Sequence, residues 1–432
     1  MTITIKSFIS IIICLLLIFS MGCTKKNPAP DREANVNGGI FVETPEVSDD
    51  KSISANKVEE TPISAYEAKK LWSYSHLNDK EKSVYRIMLT MVKNFTEGWV
   101  ELGYLGNTAT ATVTKAFRAL SNDYPEYYWM PSSYYLNHSF GKSSISFKKN
   151  SNADCYGYTA EQVVDDAEEW NDAILRIMEK VRKANTPFEK ELVIHDELCK
   201  LVVYDGDFET GVESDIYSAF GALVYGRAVC EGYARAFKLL CKYADIQCIL
   251  ITGDSKGVGH MWNMVNIDEN WYHVDVTWDD LRSEYLHTYF NVTELTIRAD
   301  HDIDITYDYV EDNLISSGNS YNFNVPKTEN EKYNYFLYNS LVVKDDIVED
   351  IANFLTNDYN NGNFKSQFTF SDDANRKDFT ENFEDYVVKI QERCIEKTNG
   401  IKFKLKTISF PSKTCVIYFE EYKKKNFFEF GE

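Results

Sequence analysis

Three residues in the middle of the chain, Cys230, His260 and Asp275, are of the types and in the order that thiol chemistry needs. A cysteine attacks a carbonyl carbon as its thiolate, a histidine takes and returns the proton, and a carboxylate orients the imidazole. A cysteine at a helix start has further help. The unpaired N–H groups and the positive end of the helix dipole favour the thiolate there and can stabilise an oxyanion on the attacked carbonyl. Val229, Tyr233, Phe237, Leu240, Cys241 and Ala244 mark the apolar face of a helix running to about Tyr243, which puts Cys230 in its first turn. Gly221 and Gly226 allow tight turns just before it.

The histidine and the aspartate must come from strands. Runs at 247–252, 260–265 and 271–277 read as strands, the last two alternating in character. A four-residue loop at 266–269 would pair Val265 with Asn270 and set His260 directly across from Asp275, with β-carbons about 4.5–5.5 Å apart. Asp275 would then hold one ring nitrogen and leave the other for Cys230. A tighter turn would break that pairing. Each residue alone has a plainer reading. A lone cysteine on an amphipathic helix is usually a small buried hydrophobe, which suits Cys241 and Cys248. A lone His260 would pack in a strand, and a lone Asp275 would be a surface carboxylate. His273 shares the predicted face and would join His260 and Asp275 in a metal site, but no compact cysteine/histidine ligand pattern accompanies it, so no metal or other cofactor is expected. Trp262 and Trp278 are expected to wall the substrate cleft or fill the core beside it. His195 falls on the apolar face of a helix over 189–203 and reads as a buried histidine with one hydrogen-bond partner.

The stretches GRAVCEGYARAFKLL (226–240), GHMWNMV (259–265) and WYHVDVTWDD (271–280) resemble the three motifs of the transglutaminase-like superfamily. That resemblance implies an α+β core related to papain-like thiol enzymes, with the cysteine-bearing helix packed on an antiparallel sheet. It also implies a catalytic triad of Cys230, His260 and Asp275. It covers about 187–301, including His195-Asp196, Tyr204-Asp205 and HTYFNVTE (287–294). The activity it implies is acyl transfer through a cysteine thioester, on a carboxamide or peptide bond of a protein or peptide. The family holds cross-linkers, peptidases, deamidases and inactive members, so the acceptor can be an amine or water, and a surface binding protein with an idle triad stays open.

Composition sets the frame. A chain of 432 residues, 44% apolar, suggests two or three globular units. A formal charge of −21 without any basic cluster argues against nucleic acid as a partner. At the start, Lys6, the apolar run 8–19 and SMGC ending at Cys23 resemble a bacterial lipoprotein signal, which implies lipidation of Cys23 and an extracytoplasmic, membrane-anchored protein. A cleaved signal or an uncleaved anchor are the alternatives, and both also lead out of the cytoplasm. Residues 24–64 are too polar to bury a core and read as a tether. An α-rich N-terminal domain follows at 65–185, with helices at 79–94, 108–120 and 159–183, a strand at 143–148, and an aromatic cluster at 124–135 read as core. The catalytic domain is placed at 186–312. Residues 313–432 form a Ser/Asn-rich linker to 324 and a small α+β domain of βαβαββ order, a binding module or a structural one. Cys155, Cys199, Cys241, Cys248, Cys394 and Cys415 would allow fifteen pairings, and no spacing imposes a bridge.

Overall fold

The computed structural model describes residues 57–150, 153–154, 158–206, 215–281, 284–303, 314–316, 322–409 and 413–421. The expected lipoprotein signal with Cys23, the expected tether as far as residue 56, and Cys155 lie outside them. The chain divides into two compact units, one made of 1–285 with 301–327 and the other of 286–300 with 328–432. The segments 65–185 and 186–285 therefore share one unit, and 286–300 leaves it for the other.

In the first unit the helix Pro187–Leu201 starts at a capping box between Thr186 and Glu189, with proline in the first turn, where its missing N–H costs nothing. The helix Cys230–Tyr243 differs from the expected one-faced pattern. Tyr233, Ala234, Ala236, Phe237, Leu239, Leu240 and even Lys238 are buried, so it is covered nearly all round. Lys238 Nζ donates to the Cys248 carbonyl at 2.8 Å, and Asn263 Nδ2 donates to the Ala234 carbonyl at 3.0 Å, which ties the helix to the sheet. That sheet has four strands in the order 270–274, 258–267, 247–255 and 301–303, every neighbouring pair antiparallel.

The segment before it holds more strand than expected. Helices Asp79–Lys93 and Ala109–Asp123 are present, but Val100–Tyr104, Lys142–Ser146, Ser133–Ser139 and Leu314–Ser316 form a second four-stranded sheet. Phe140 and Gly141, at φ 49° and 78°, turn its central hairpin, and its last strand comes from the stretch expected to be linker. The expected helix over 159–183 is broken at Asp166 into Ala160–Asp165 and Ala167–Val181, with Asp166, Glu168 and Glu169 gathered at the second helix's positive end. Arg235 reaches back from the cysteine helix to the Ser121 carbonyl at 2.8 Å, so this segment helps fix that helix.

In the second unit the strands 342–343, 365–370, 414–421 and 403–409 lie in that order, the first pair parallel and the rest antiparallel. Helices Ile347–Asn360 and Phe383–Lys397 cover a core that includes Val343, Ile351, Leu355, Phe368, Ile390, Cys394 and Ile417. Where the expected order has a single second helix there are two, Asp373–Glu381 and Phe383–Lys397, divided at Asn382. From Val342 onward the order is thus βαβααββ.

One position sets where the cysteine helix begins. A Cβ on Gly232 would lie 2.4 Å from the Ile216 carbonyl oxygen and 2.7 Å from the Ala228 Cβ. Alanine normally gains about 1 kcal/mol over glycine inside a helix, but here a backbone carbonyl would have to move. Gly232→Ala is therefore expected to lower stability by about 1–3 kcal/mol. Urea denaturation checks this, and an unchanged or higher midpoint would refute the wedge.

Candidate active site

Cys230 opens its helix directly after the short strand Arg227–Ala228, which pairs in parallel with Val203–Tyr204. The Val229 N–H is spent on the Ile216 carbonyl at 3.0 Å, and the Val229 side chain caps nothing. The helix that Cys230 opens therefore has no side-chain cap on its first-turn N–H groups.

The hairpin register differs from the expected one. Asp268 and Glu269, at φ 49° and 64°, form a two-residue turn, so Ile267 pairs with Asn270 and the ladder ends at Val274 opposite Asn263. His260 does not lie directly across from Asp275. The displacement is by two residues, which preserves the face, because side chains alternate with period two. Asp275 then leaves the strand as the N-cap of the short helix Val276–Asp279, and its Oδ1 accepts the Trp278 N–H at 3.1 Å. Its Oδ2 lies 2.6 Å from His260 Nε2. That bond commits Nε2 and leaves Nδ1 of His260 for Cys230, whose side chain is within hydrogen-bonding reach of the ring.

The electrostatics follow from burial and contact. Burial alone would lower the proton affinity of His260, but the Asp275 carboxylate and Cys230, by charge and hydrogen bond, together push it up to about 10. Burial alone would raise Asp275, yet His260 and then His301 hold it far below the ordinary carboxylate range. His301 is the residue sequence reasoning missed. Its Nε2 lies 3.0 Å from the same Asp275 Oδ2, and it comes from the edge strand 301–303, beyond the last motif.

The tryptophans enclose the imidazole. Trp262, expected at the cleft wall or in the core beside it, is buried, with its ring 5.9 Å from His260 at 21° between planes, so it backs the imidazole from the core. Trp278 is only partly buried, meets His260 edge-on at 6.3 Å, and carries Lys256 Nζ 4.2 Å from its centre. His273 does not join His260 and Asp275, because Trp262 Nε1 donates to its Nδ1 at 3.1 Å. The group that does converge is His260, Asp275 and His301, with ligand-type atoms within 4.8 Å of one another. Its contacts of 2.6 and 3.0 Å are shorter than the ligand separation of about 3.3 Å in a tetrahedral shell with 2.0–2.1 Å bonds. As folded, the cluster holds protons. Cys241 and Cys248 are buried, as expected of core residues, and Cys199, Cys230, Cys241, Cys248 and Cys394 form no disulfide.

Residues 176–276 match the model of the transglutaminase-like superfamily. The central segment carries a transglutaminase-like core. All three expected triad residues fall inside the match, and His301 falls outside it. Kyphoscoliosis peptidase of Mus musculus is 26% identical over 114 residues, which span 24% of this chain and 17% of that protein. The transglutaminase-like core thus matches only about a sixth of that relative's length. Among solved structures, a TGase is 17% identical over 33% of this chain and 43% of its own, with a TM-score of 0.23. A candidate cysteine protease from Cytophaga hutchinsonii is also 17% identical, over 32% and 51%, with a TM-score of 0.22.

Behind the site lies His195, buried as expected but with two carboxylate partners, Asp196 at 3.0 Å and Asp279 at 3.2 Å. The second bond joins the helix Pro187–Leu201 to the short helix that Asp275 caps. Burial would lower the His195 proton affinity, but the two carboxylates outweigh it and raise it to about 9. A raised folded value means that the stabilisation is complete below the unfolded value of about 6.5 and fades as pH climbs through 9. Between pH 6 and 9.5 the wild type is expected to lose up to about 3 kcal/mol more stability than His195→Asn. Chemical denaturation at the two pH values measures this, and parallel losses in both proteins would refute it.

Proposed function

We propose that this protein is a cell-surface thiol acyl-transfer enzyme acting on a carboxamide or peptide bond of a protein or peptide. The reading is carried by the 2.6 Å bond between His260 and Asp275, which commits Nε2 and leaves Nδ1 for the thiol. Cys230 attacks the carbonyl carbon as its thiolate, the sulfur–carbon bond forms, and the carbonyl electrons move onto oxygen. First-turn N–H groups of the helix stabilise that oxyanion. His260 donates its Nδ1 proton to the leaving nitrogen, the carbon–nitrogen bond breaks, and ammonia or an amine departs from a thioester. An amine or water then adds to the thioester and returns a proton to His260 as the thiolate is expelled. Positioned proton transfer of this kind supplies about 10²–10⁴-fold in rate.

Acyl transfer to an amine and hydrolysis share every step before the acceptor arrives. The name of the relative kyphoscoliosis peptidase favours hydrolysis as the second reading. Incubation with glutamine-bearing proteins and a fluorescent amine, following amine incorporation, ammonia and new amino termini, separates the two. Cys230→Ala is expected to lower each signal by at least about 10³-fold with no shift in unfolding midpoint. Wild type silent across a range of substrates, with Cys230 alkylated no faster than an unactivated thiol, would leave the binding protein with an idle triad.

The location is proposed from Cys23 and the apolar run before it. A fatty-acid probe is expected to label the wild type and to leave Cys23→Ala unlabelled. Label retained by that variant would refute the anchor.

A further inference from the structure

A completely buried carboxylate with one hydrogen-bonded partner is poorly held, because its second lone pair and its rotation about Cβ–Cγ are left unspecified. Asp275 is 1% exposed, and its two oxygens accept from three donors on three elements. Trp278 N–H takes Oδ1 from within the short helix, and His260 takes Oδ2 from the hairpin. His301, itself 1% exposed, takes the same Oδ2 from the opposite edge of the sheet, 26 residues further along the chain.

The strands are built to bring that edge in. His301 pairs with Ser255 and Ile303 with Gly253, while Gly253 pairs on its other side with His260. A Cβ on Gly253 would lie 1.9 Å from the Asp302 carbonyl oxygen and 3.0 Å from Trp262 Cη2. Glycine there lets the edge strand and the Trp262 ring close on the same point. The His301 ring ends 5.4 Å from His260, 5.1 Å from Trp262 and 5.5 Å from Trp278, so it completes the enclosure of the catalytic imidazole.

We propose that His301 is a positioning residue of this site, whose Nε2–H holds the Asp275 carboxylate in the orientation that serves His260. The proposal rests on the thiol-enzyme reading given above. His301 acts on the chemistry through that carboxylate. Without its N–H, Asp275 keeps two donors, gains freedom to rotate, and binds a proton more readily, since hydrogen bonds to the charged form favour that form. The titratable groups that act on or feel Asp275 are His260, His301, Tyr204 and Cys199, with Cys230 beyond His260.

The test uses the full chain and reads alkylation of Cys230 by iodoacetamide against pH, resolved from the other cysteines by peptide mass spectrometry. His301→Phe keeps a ring against both tryptophans and loses the donor; His301→Gln keeps a donor at the same bond distance from the backbone and loses the ring. The acid limb of the wild-type profile is expected to move up by about one pH unit in His301→Phe and to return to within a few tenths in His301→Gln. A Phe variant that matches wild type, or a Gln variant displaced as far as Phe, overturns the proposal. A wild-type profile that is unchanged in His260→Ala and equal to that of an ordinary thiol overturns the thiol-enzyme reading, and the role of His301 with it. Proton NMR of the wild type is independent of how the His301 variants fold. Two downfield imidazole N–H signals that both move in Asp275→Asn are expected, and a single such signal overturns the second donor.

Discussion

The buried carboxylate of Asp275 is the constraint around which the candidate site is arranged. Taking a carboxylate out of water costs several kcal/mol unless opposite charge and hydrogen bonds replace the lost solvation. Here the replacement comes from His260 and His301 on Oδ2 and from the Trp278 backbone on Oδ1. These three donors belong to a hairpin strand, an edge strand and a one-turn helix, so none of those elements can shift without leaving a buried charge short of a partner. The direction of the balance is visible in the site itself. Burial acts to raise the proton affinity of Asp275, and the imidazoles more than reverse it. The resulting negative charge is what keeps His260 protonated despite its own burial.

The thiol side is held by a different means. The cysteine helix is covered on nearly every face, and its polar groups are used as anchors: Lys238 to Cys248, Asn263 to Ala234, and Arg235 to Ser121. Burying Lys238 lowers its proton affinity, an effect that the nearby Asp123 opposes. Asp123 in turn accepts the Ser73 and Tyr74 N–H groups at 3.1 and 2.8 Å. The N-terminal segment is thus part of what aims Cys230, although nothing in its sequence speaks of catalysis. Only the first turn is left without a side-chain cap, and that is the turn where an oxyanion would need N–H donors.

Local patterns were legible in the sequence and distant ones were not. The helix start at Cys230 could be placed from apolar spacing and its preceding glycines, and the face shared by His260 and Asp275 from strand alternation. The register was misplaced by two residues because Asp268 and Glu269 adopt left-handed backbone without a glycine to announce it. Parity rescued the face, so His260 and Asp275 still meet despite the error in register. Trp262 looked equally suited to cleft or core, since period alone does not say which side of a histidine an aromatic ring will occupy. The sheet of the N-terminal segment was hidden because one strand begins inside a run of aromatics and another arrives from Leu314–Ser316, far along the chain. His301 escaped for the same reason. Its strand has three residues, too few for any alternation to show, and its partner Asp275 is set by tertiary folding.

The choice of an imidazole at that third position has a physical logic. A lysine or arginine reaching Asp275 would also satisfy the buried oxygen, but it would bring a full positive charge into direct competition with His260 for the same carboxylate. The His260 imidazolium would then lose part of the attraction that outweighs its burial. A backbone N–H adds no charge but is fixed by its own strand, and Trp278 already serves in that way on Oδ1. An imidazole N–H can orient the carboxylate, and its ring meets Trp262 and Trp278 edge-on, where a flexible amide would leave space. Orientation of the carboxylate and enclosure of the His260 ring are met by one side chain.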